Sequence, residues 1–201
     1  MNDERLRLFC ALQLPDETVG ELTAWQAVNL QAGKRDAGTL DVGKPRGGRI
    51  VPPENLHVTL AFLGSRPAGE VPAIVGALRA AAAAAGPIEL RPLRYRETGS
   101  VGMIVLKDVT GSATILAEDL TARLERLGAY RSERRPWLPH VTVLRFKERA
   151  GLTPEATNIR SIHVVRSALY RSVLGRGPAE YSGATYDALK TAALGGVDDG
   201  S

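Results

Sequence analysis

Cysteine, histidine, methionine and long apolar runs are all scarce in this 201-residue chain. Cys10 is the only cysteine, which excludes an intramolecular disulfide and a cysteine-rich zinc site. It lies in Leu8-Phe9-Cys10-Ala11-Leu12, where a small apolar side chain reads as core filler. No stretch approaches the roughly 18 apolar residues of a membrane-spanning helix. The longest apolar tract, Ala80 to Ala85, is all alanine and reads as helix surface. Met1-Asn2-Asp3-Glu4-Arg5 leads straight into a strand-like run without a signal-peptide apolar core, so the expected address is cytoplasmic. A net charge of +4 is too modest to demand a nucleic-acid partner. Most of the positive charge is arginine, with a denser run at Arg131, Arg134 and Arg135, and that balance suits a phosphate-bearing partner.

Against that background, two of the three histidines share one setting. They open His57-Val58-Thr59-Leu60 and His140-Val141-Thr142-Val143, each inside an apolar, β-branched run that reads as a strand. Successive strand side chains point to opposite faces, so His57 and Thr59 share one face and His140 and Thr142 do the same. An imidazole titrates near neutrality. One member of such a pair can accept a proton while the other donates one, and threonine hydroxyls can hold a phosphate oxygen between them. A zinc site using His57 and His140 is the rival reading. It is disfavoured because neither strand carries Asp or Glu, and neutral hydroxyls with nearby arginine suit an anion better. His163, in Ile162-His163-Val164-Val165, lacks the threonine and reads as structural or exposed.

The length suits one domain or two packed lobes. Strands are expected over 5–14, 56–63, 88–96, 101–107, 138–146, 159–173 and 180–186. Helices are expected over 16–31, 68–85 and 112–127. Strand, helix and His-bearing strand thus occur twice, and two such halves about a pseudo-two-fold axis would bring the His faces together across a groove. The expected organisation is a single bilobal domain over residues 1–189, with a flexible Gly- and Arg-rich loop near 33–48. Residues 190–201, small, polar and glycine-rich, read as a disordered tail.

Longer stretches carry a resemblance. Arg7-Leu8-Phe9-Cys10-Ala11-Leu12-Gln13-Leu14-Pro15, Val51-Pro52-Pro53-Glu54-Asn55-Leu56-His57-Val58-Thr59-Leu60 with Phe62-Leu63-Gly64, and Arg135-Pro136-Trp137-Leu138-Pro139-His140-Val141-Thr142-Val143-Leu144-Arg145 are similar to motifs of the two-histidine phosphoesterases. So are Leu169-Tyr170-Arg171-Ser172 and Tyr181. Within that superfamily the chain resembles the RNA 2′,3′-cyclic phosphodiesterases once described as 2′-5′ RNA ligases. The resemblance implies an α+β, bilobal fold with antiparallel sheets lining a central cleft and helices outside. It also implies metal-independent hydrolysis of RNA or nucleoside 2′,3′-cyclic phosphate ends to 2′-phosphates, with no cofactor, in a monomer that has no membrane partner. His57 would donate a proton to the departing 3′ oxygen, His140 would activate water, and Thr59 and Thr142 would hold the phosphate. Arg145, Trp137 and Phe62 are candidates to touch substrate, the two aromatics by stacking on a base; packing is the equal alternative for the aromatics, and a solvated strand end the alternative for Arg145. Ala61 departs from the pattern, standing where many members carry arginine. Two other functions fit the same residues: 2′-5′ ligation by the reverse reaction, and non-catalytic binding of RNA or nucleotide.

Overall fold

The computed structural model describes residues 4–30, 48–131, 135–147, 149, 151–156, 159–174 and 183–196. Nine strands form one sheet: β1 (Arg5–Gln13), β2 (Gly48–Ile50), β3 (His57–Pro67), β4 (Ile88–Glu97), β5 (Val101–Asp108), β6 (His140–Phe146), β7 (Ile162–Val164), β8 (Arg166–Leu174) and β9 (Ala184–Ala193). Three α-helices accompany them among the described residues: α1 (Asp16–Asn29), α2 (Val71–Ala84) and α3 (Ser112–Arg126). The strand order is β7-β4-β5-β6-β3-β1-β8-β9, every pairing antiparallel, with β2 added against β6.

That order carries the expected duplication. The units β1-α1-β3 and β5-α3-β6 lie side by side, and the two His strands are neighbours at the centre. The halves therefore meet within one continuous sheet, through the ladder pair Val58↔Val141, rather than as two separate sheets across a gap. Only Val165 separates β7 from β8, although they stand far apart in the strand order. One residue spans only a few ångströms of chain, so the sheet curls until those strands approach each other.

The core explains the curl. Val58, Leu60, Val141 and Val143 are buried in the same cluster as Ile74 and Leu78 of α2 and Leu116, Leu120 and Leu124 of α3. Helix α3 packs on β3, β4 and β5, and α2 packs on α3, β8 and β9. The entry to α3 is set by Asp108, whose carboxylate accepts hydrogen bonds from Gly111 N (3.0 Å), Thr114 N (2.8 Å) and Thr114 Oγ1 (2.8 Å). Gly111 turns the chain there at φ 77°, a left-handed conformation that favours glycine.

Three expectations need correction. The alanine tract is helix surface only in part: Ala80, Ala83 and Ala84 are exposed, but Ala81, Ala82 and Ala85 are buried, and their small side chains let α2 approach its neighbours closely. The run 159–173 is two strands, because the chain leaves β4 and joins β1 with Val165 exposed at the crossing. Residues 190–193 are not a frayed tail but the end of β9, hydrogen-bonded along β8, and Leu194–Gly196 add a 3-10 turn. The segment 33–47 expected to be a loop lies outside the described residues, and Gly48 already belongs to β2.

Candidate active site

The register centred on Val58↔Val141 sets His57 across from Thr142 and Thr59 across from His140. Because both valines are fully buried, the four polar side chains share the opposite, open face. Two distant motifs thereby become a two-by-two array of imidazoles and hydroxyls on adjacent strands.

Both strands then break their alternation at the same place. On β3, Ala11 pairs with Thr59 and Cys10 with Ala61, leaving Leu60 as the extra residue. On β6, Met103 pairs with Thr142 and Gly102 with Leu144, leaving Val143 extra. Each bulge buries two consecutive residues, Leu60-Ala61 and Val143-Leu144, and turns the next one outward. Strict alternation would send Phe62 and Arg145 to the helix face. The bulges return both to the His face, where they line the same cavity as His57 and Thr59. Gln26 of α1 braces one bulge by donating to the carbonyls of Val143 (2.9 Å) and Val51 (3.0 Å). Ala61, the position that departs from the family's arginine, is buried and points away from the site.

The cavity has a volume of about 260 Å³. His57, Thr59, Asn55, Ser172 and Tyr186 line its inner part, and Arg7, Arg49 and Arg145 are exposed on its walls. His57 is enclosed by aromatics: its ring centroid is 4.9 Å from Phe9, 5.4 Å from Tyr186 and 6.2 Å from Tyr170. Phe9 stacks on Tyr170 at 5.0 Å, and Gln13 Nε2 donates to the Tyr170 hydroxyl at 3.2 Å. Phe9, Tyr170, Tyr186, Asn55, Arg7 and Arg49 carried no functional reading in the sequence. Phe9, Arg7, Tyr170 and Tyr186 come together by register across β1, β8 and β9, Arg49 by the pairing of β2 with β6, and no local pattern encodes either.

Hydrogen bonds fix which ring nitrogen can work. His57 Nδ1 lies 2.7 Å from the Asn55 carbonyl, and His140 Nδ1 lies 2.8 Å from the Leu138 carbonyl. A carbonyl only accepts, so each Nδ1 carries the hydrogen and each Nε2 is the acceptor in the neutral ring. Thr59 donates its hydroxyl to His57 Nε2 at 3.1 Å. The His57 pKa falls from 6.5 to about 4, chiefly because burial penalises the imidazolium. The positive charges of Arg145 and His140 push the same way, and the Asn55 carbonyl opposes them. Unliganded, the ring is therefore neutral at pH 7.

Of the remaining sequence candidates, Trp137 takes the packing position that was the alternative to stacking. It is half-buried against the core, outside the cavity lining, and its indole N–H donates to the Thr59 carbonyl at 2.9 Å. It braces the His57 strand. Phe62 is 48% exposed, with the Arg7 guanidinium 4.9 Å over its ring, so one aromatic face remains open. His163 is exposed on β7, opposite Glu89. Tyr181 lies outside the described residues. Among the described residues, no group of three or more His, Cys, Asp or Glu side chains is placed to hold a metal ion. No helix among them is long and apolar enough to cross a membrane.

Residues 35–95 match the family model described as LigT like Phosphoesterase. The chain is 29% identical over 182 residues to the RNA 2′,3′-cyclic phosphodiesterase of Escherichia coli (strain K12), spanning 89% of this chain and 94% of that protein. It is 31% identical over 183 residues to the RNA 2′,3′-cyclic phosphodiesterase of Thermus thermophilus, spanning 86% and 85%. Its fold matches the crystal structure of E. coli LigT complexed with 3′-AMP with a TM-score of 0.73 at 27% identity, over 95% of this chain and 99% of that one. Motif pair, sheet order and relatives that run the length of the chain agree: this protein belongs to the LigT-like phosphoesterase family.

Proposed function

We propose that this protein is an RNA 2′,3′-cyclic phosphodiesterase that opens cyclic phosphate ends of RNA or nucleotides to 2′-phosphomonoesters. The observation that carries this reading is the array of His57, Thr59, His140 and Thr142 on one open face, with each Nδ1 held by a backbone carbonyl so that Nε2 is the atom left to exchange protons. The relatives named for that activity support it, as does the 3′-AMP bound by E. coli LigT. ATP and NADP+ complexes of E. coli LigT extend the class of ligand to nucleotides in general.

In the proposed reaction the phosphorus sits over the array, its non-bridging oxygens hydrogen-bonded by Thr59 and Thr142. His140 Nε2 takes a proton from water as the water oxygen bonds to phosphorus. The P–O3′ bond breaks, and His57 Nε2–H gives its proton to the departing 3′ oxygen. Each proton transfer contributes on the order of 10²–10⁴ in rate. The acid must be charged beforehand, yet burial keeps free His57 neutral at pH 7. The substrate's own anionic phosphate supplies the remedy, because a negative charge at contact distance raises the imidazole pKa. Substrate binding therefore charges the acid.

The direct test offers a nucleoside 2′,3′-cyclic phosphate and identifies the product isomer. A 2′-phosphate formed at undiminished rate in chelator is expected. Dependence on a divalent ion, or near wild-type turnover by both His57→Ala and His140→Ala, overturns the proposal.

A further inference from the structure

Three arginines outside the candidate cavity sit beside carboxylates: Arg66 with Glu70, Arg123 with Asp119, and Arg160 with Glu17 and Glu21. Those that line the cavity are arranged differently. Arg49 of β2 stands directly opposite Arg145 of β6 in the ladder, and both line the cavity, with Arg7 on the same lining. Among the described residues none of these three makes an ion pair, and the lining contains no Asp or Glu. Directly opposed side chains have Cβ atoms about 5 Å apart, so two guanidinium groups there repel each other when nothing lies between them. An anion removes that repulsion, and two planar forks suit a phosphate. The backbone aims one of them: Arg49 Nη1 occupies the space that a Cβ on Gly183 would need.

We propose that Arg49 and Arg145 form a second phosphate subsite, reading a phosphate on the 5′ oxygen of the nucleotide whose 2′,3′ end meets the histidines. The inference rests on the reaction proposed above for its geometry. The reacting phosphate lies over His57 and Thr59, and the arginine pair lines the same small cavity. One nucleotide presents phosphate groups at both of its ends and can reach both places. The subsite makes an RNA end, or a 5′-phosphorylated nucleotide, a better ligand than a bare nucleoside cyclic phosphate. Because the arginines are exposed to solvent, the preference is salt-sensitive.

Binding and turnover separate this proposal from its parent. Calorimetry compares adenosine 2′-phosphate with adenosine 2′,5′-bisphosphate, and a dinucleotide ending in a 2′-phosphate tells a bridging diester from a terminal monoester. A 5′ phosphate is expected to tighten binding by at least about tenfold in low salt, and the advantage to shrink as salt rises. Arg49→Gln should reduce the ratio of the two Kd values to near one. Gly183→Ala, which displaces the same guanidinium without removing charge, should lower it partly. Equal affinities in the wild type, or an equal weakening of both ligands by Arg49→Gln, overturns the subsite. Absence of cyclic phosphate hydrolysis overturns only the reaction, since these ligands need no turnover.

Discussion

The two halves of the site are built alike and furnished differently. Each supplies a His-x-Thr strand, a backbone carbonyl on Nδ1, and a bulge that exposes the fifth residue after the histidine. That fifth residue is Phe62 in one half and Arg145 in the other. Around His57 stand Phe9, Tyr170 and Tyr186, and burial drives its pKa down to about 4. No aromatic ring is packed in this way on His140 among the described residues. Duplicated backbone geometry therefore leaves the role of each ring to be set by its surroundings.

The strongest way to break this comparison is to remove each histidine in turn. His57→Ala and His140→Ala should each lower kcat/KM for a cyclic phosphate by about 10²–10⁴. The double variant should fall little below the worse single, because the two transfers serve one transition state. Losses that multiply would mean the halves act independently. Next comes the wall itself. Tyr186→Leu together with Phe9→Leu should admit water and move the His57 pKa up from about 4 toward 6.5, read from its ring proton shift during a pH titration. An unchanged midpoint would show that the aromatics are not the source of the shift.

A proton-uptake measurement sharpens the same point. His57 is neutral when free, and in the proposed reaction an anion bound beside it charges it. Binding of sulfate, an anion that does not itself titrate in this range, at pH 6 to 7 should therefore take up a fraction of a proton, visible as buffer-dependent heat. The sign follows from linkage. A bound-state pKa above the free value makes affinity fall as pH rises through the bound value, and the dependence flattens below about 4, where both states are protonated. Absence of uptake would show that an anion in the site does not charge His57.

Smaller effects test the bracing. Gln26→Leu removes two buried donors and should cost about 1–3 kcal/mol in denaturant unfolding. Trp137→Phe, which loses one hydrogen bond to Thr59, should cost about 1 kcal/mol.

Much of this was legible in the chain because it depends on spacing. Alternation placed His57 with Thr59 and His140 with Thr142, and apolar periodicity located α2 and α3 within a few residues. What stayed hidden depends on pairing. That Val58 meets Val141, that Leu60 and Val143 are bulged, and that Tyr186 reaches His57 are properties of register between segments far apart in sequence. Trp137 illustrates the limit from the other side. Its position beside the second motif invited a stacking role, but its indole N–H found an acceptor on the neighbouring strand. The alanines of α2 read as surface because small side chains carry little hydrophobic signal, although smallness is what close helix contact requires.

The paired bulges have a consequence for how such a molecule can change. Each inserts one surplus residue immediately behind the working threonine, so the outward slot beyond it is decoupled from the row that packs on the helices. Phe62 and Arg145 occupy equivalent slots with unlike chemistry, one an open ring face and the other a fixed positive charge. Ligand preference can therefore drift at these two addresses, one half at a time, while the proton-handling atoms keep their places.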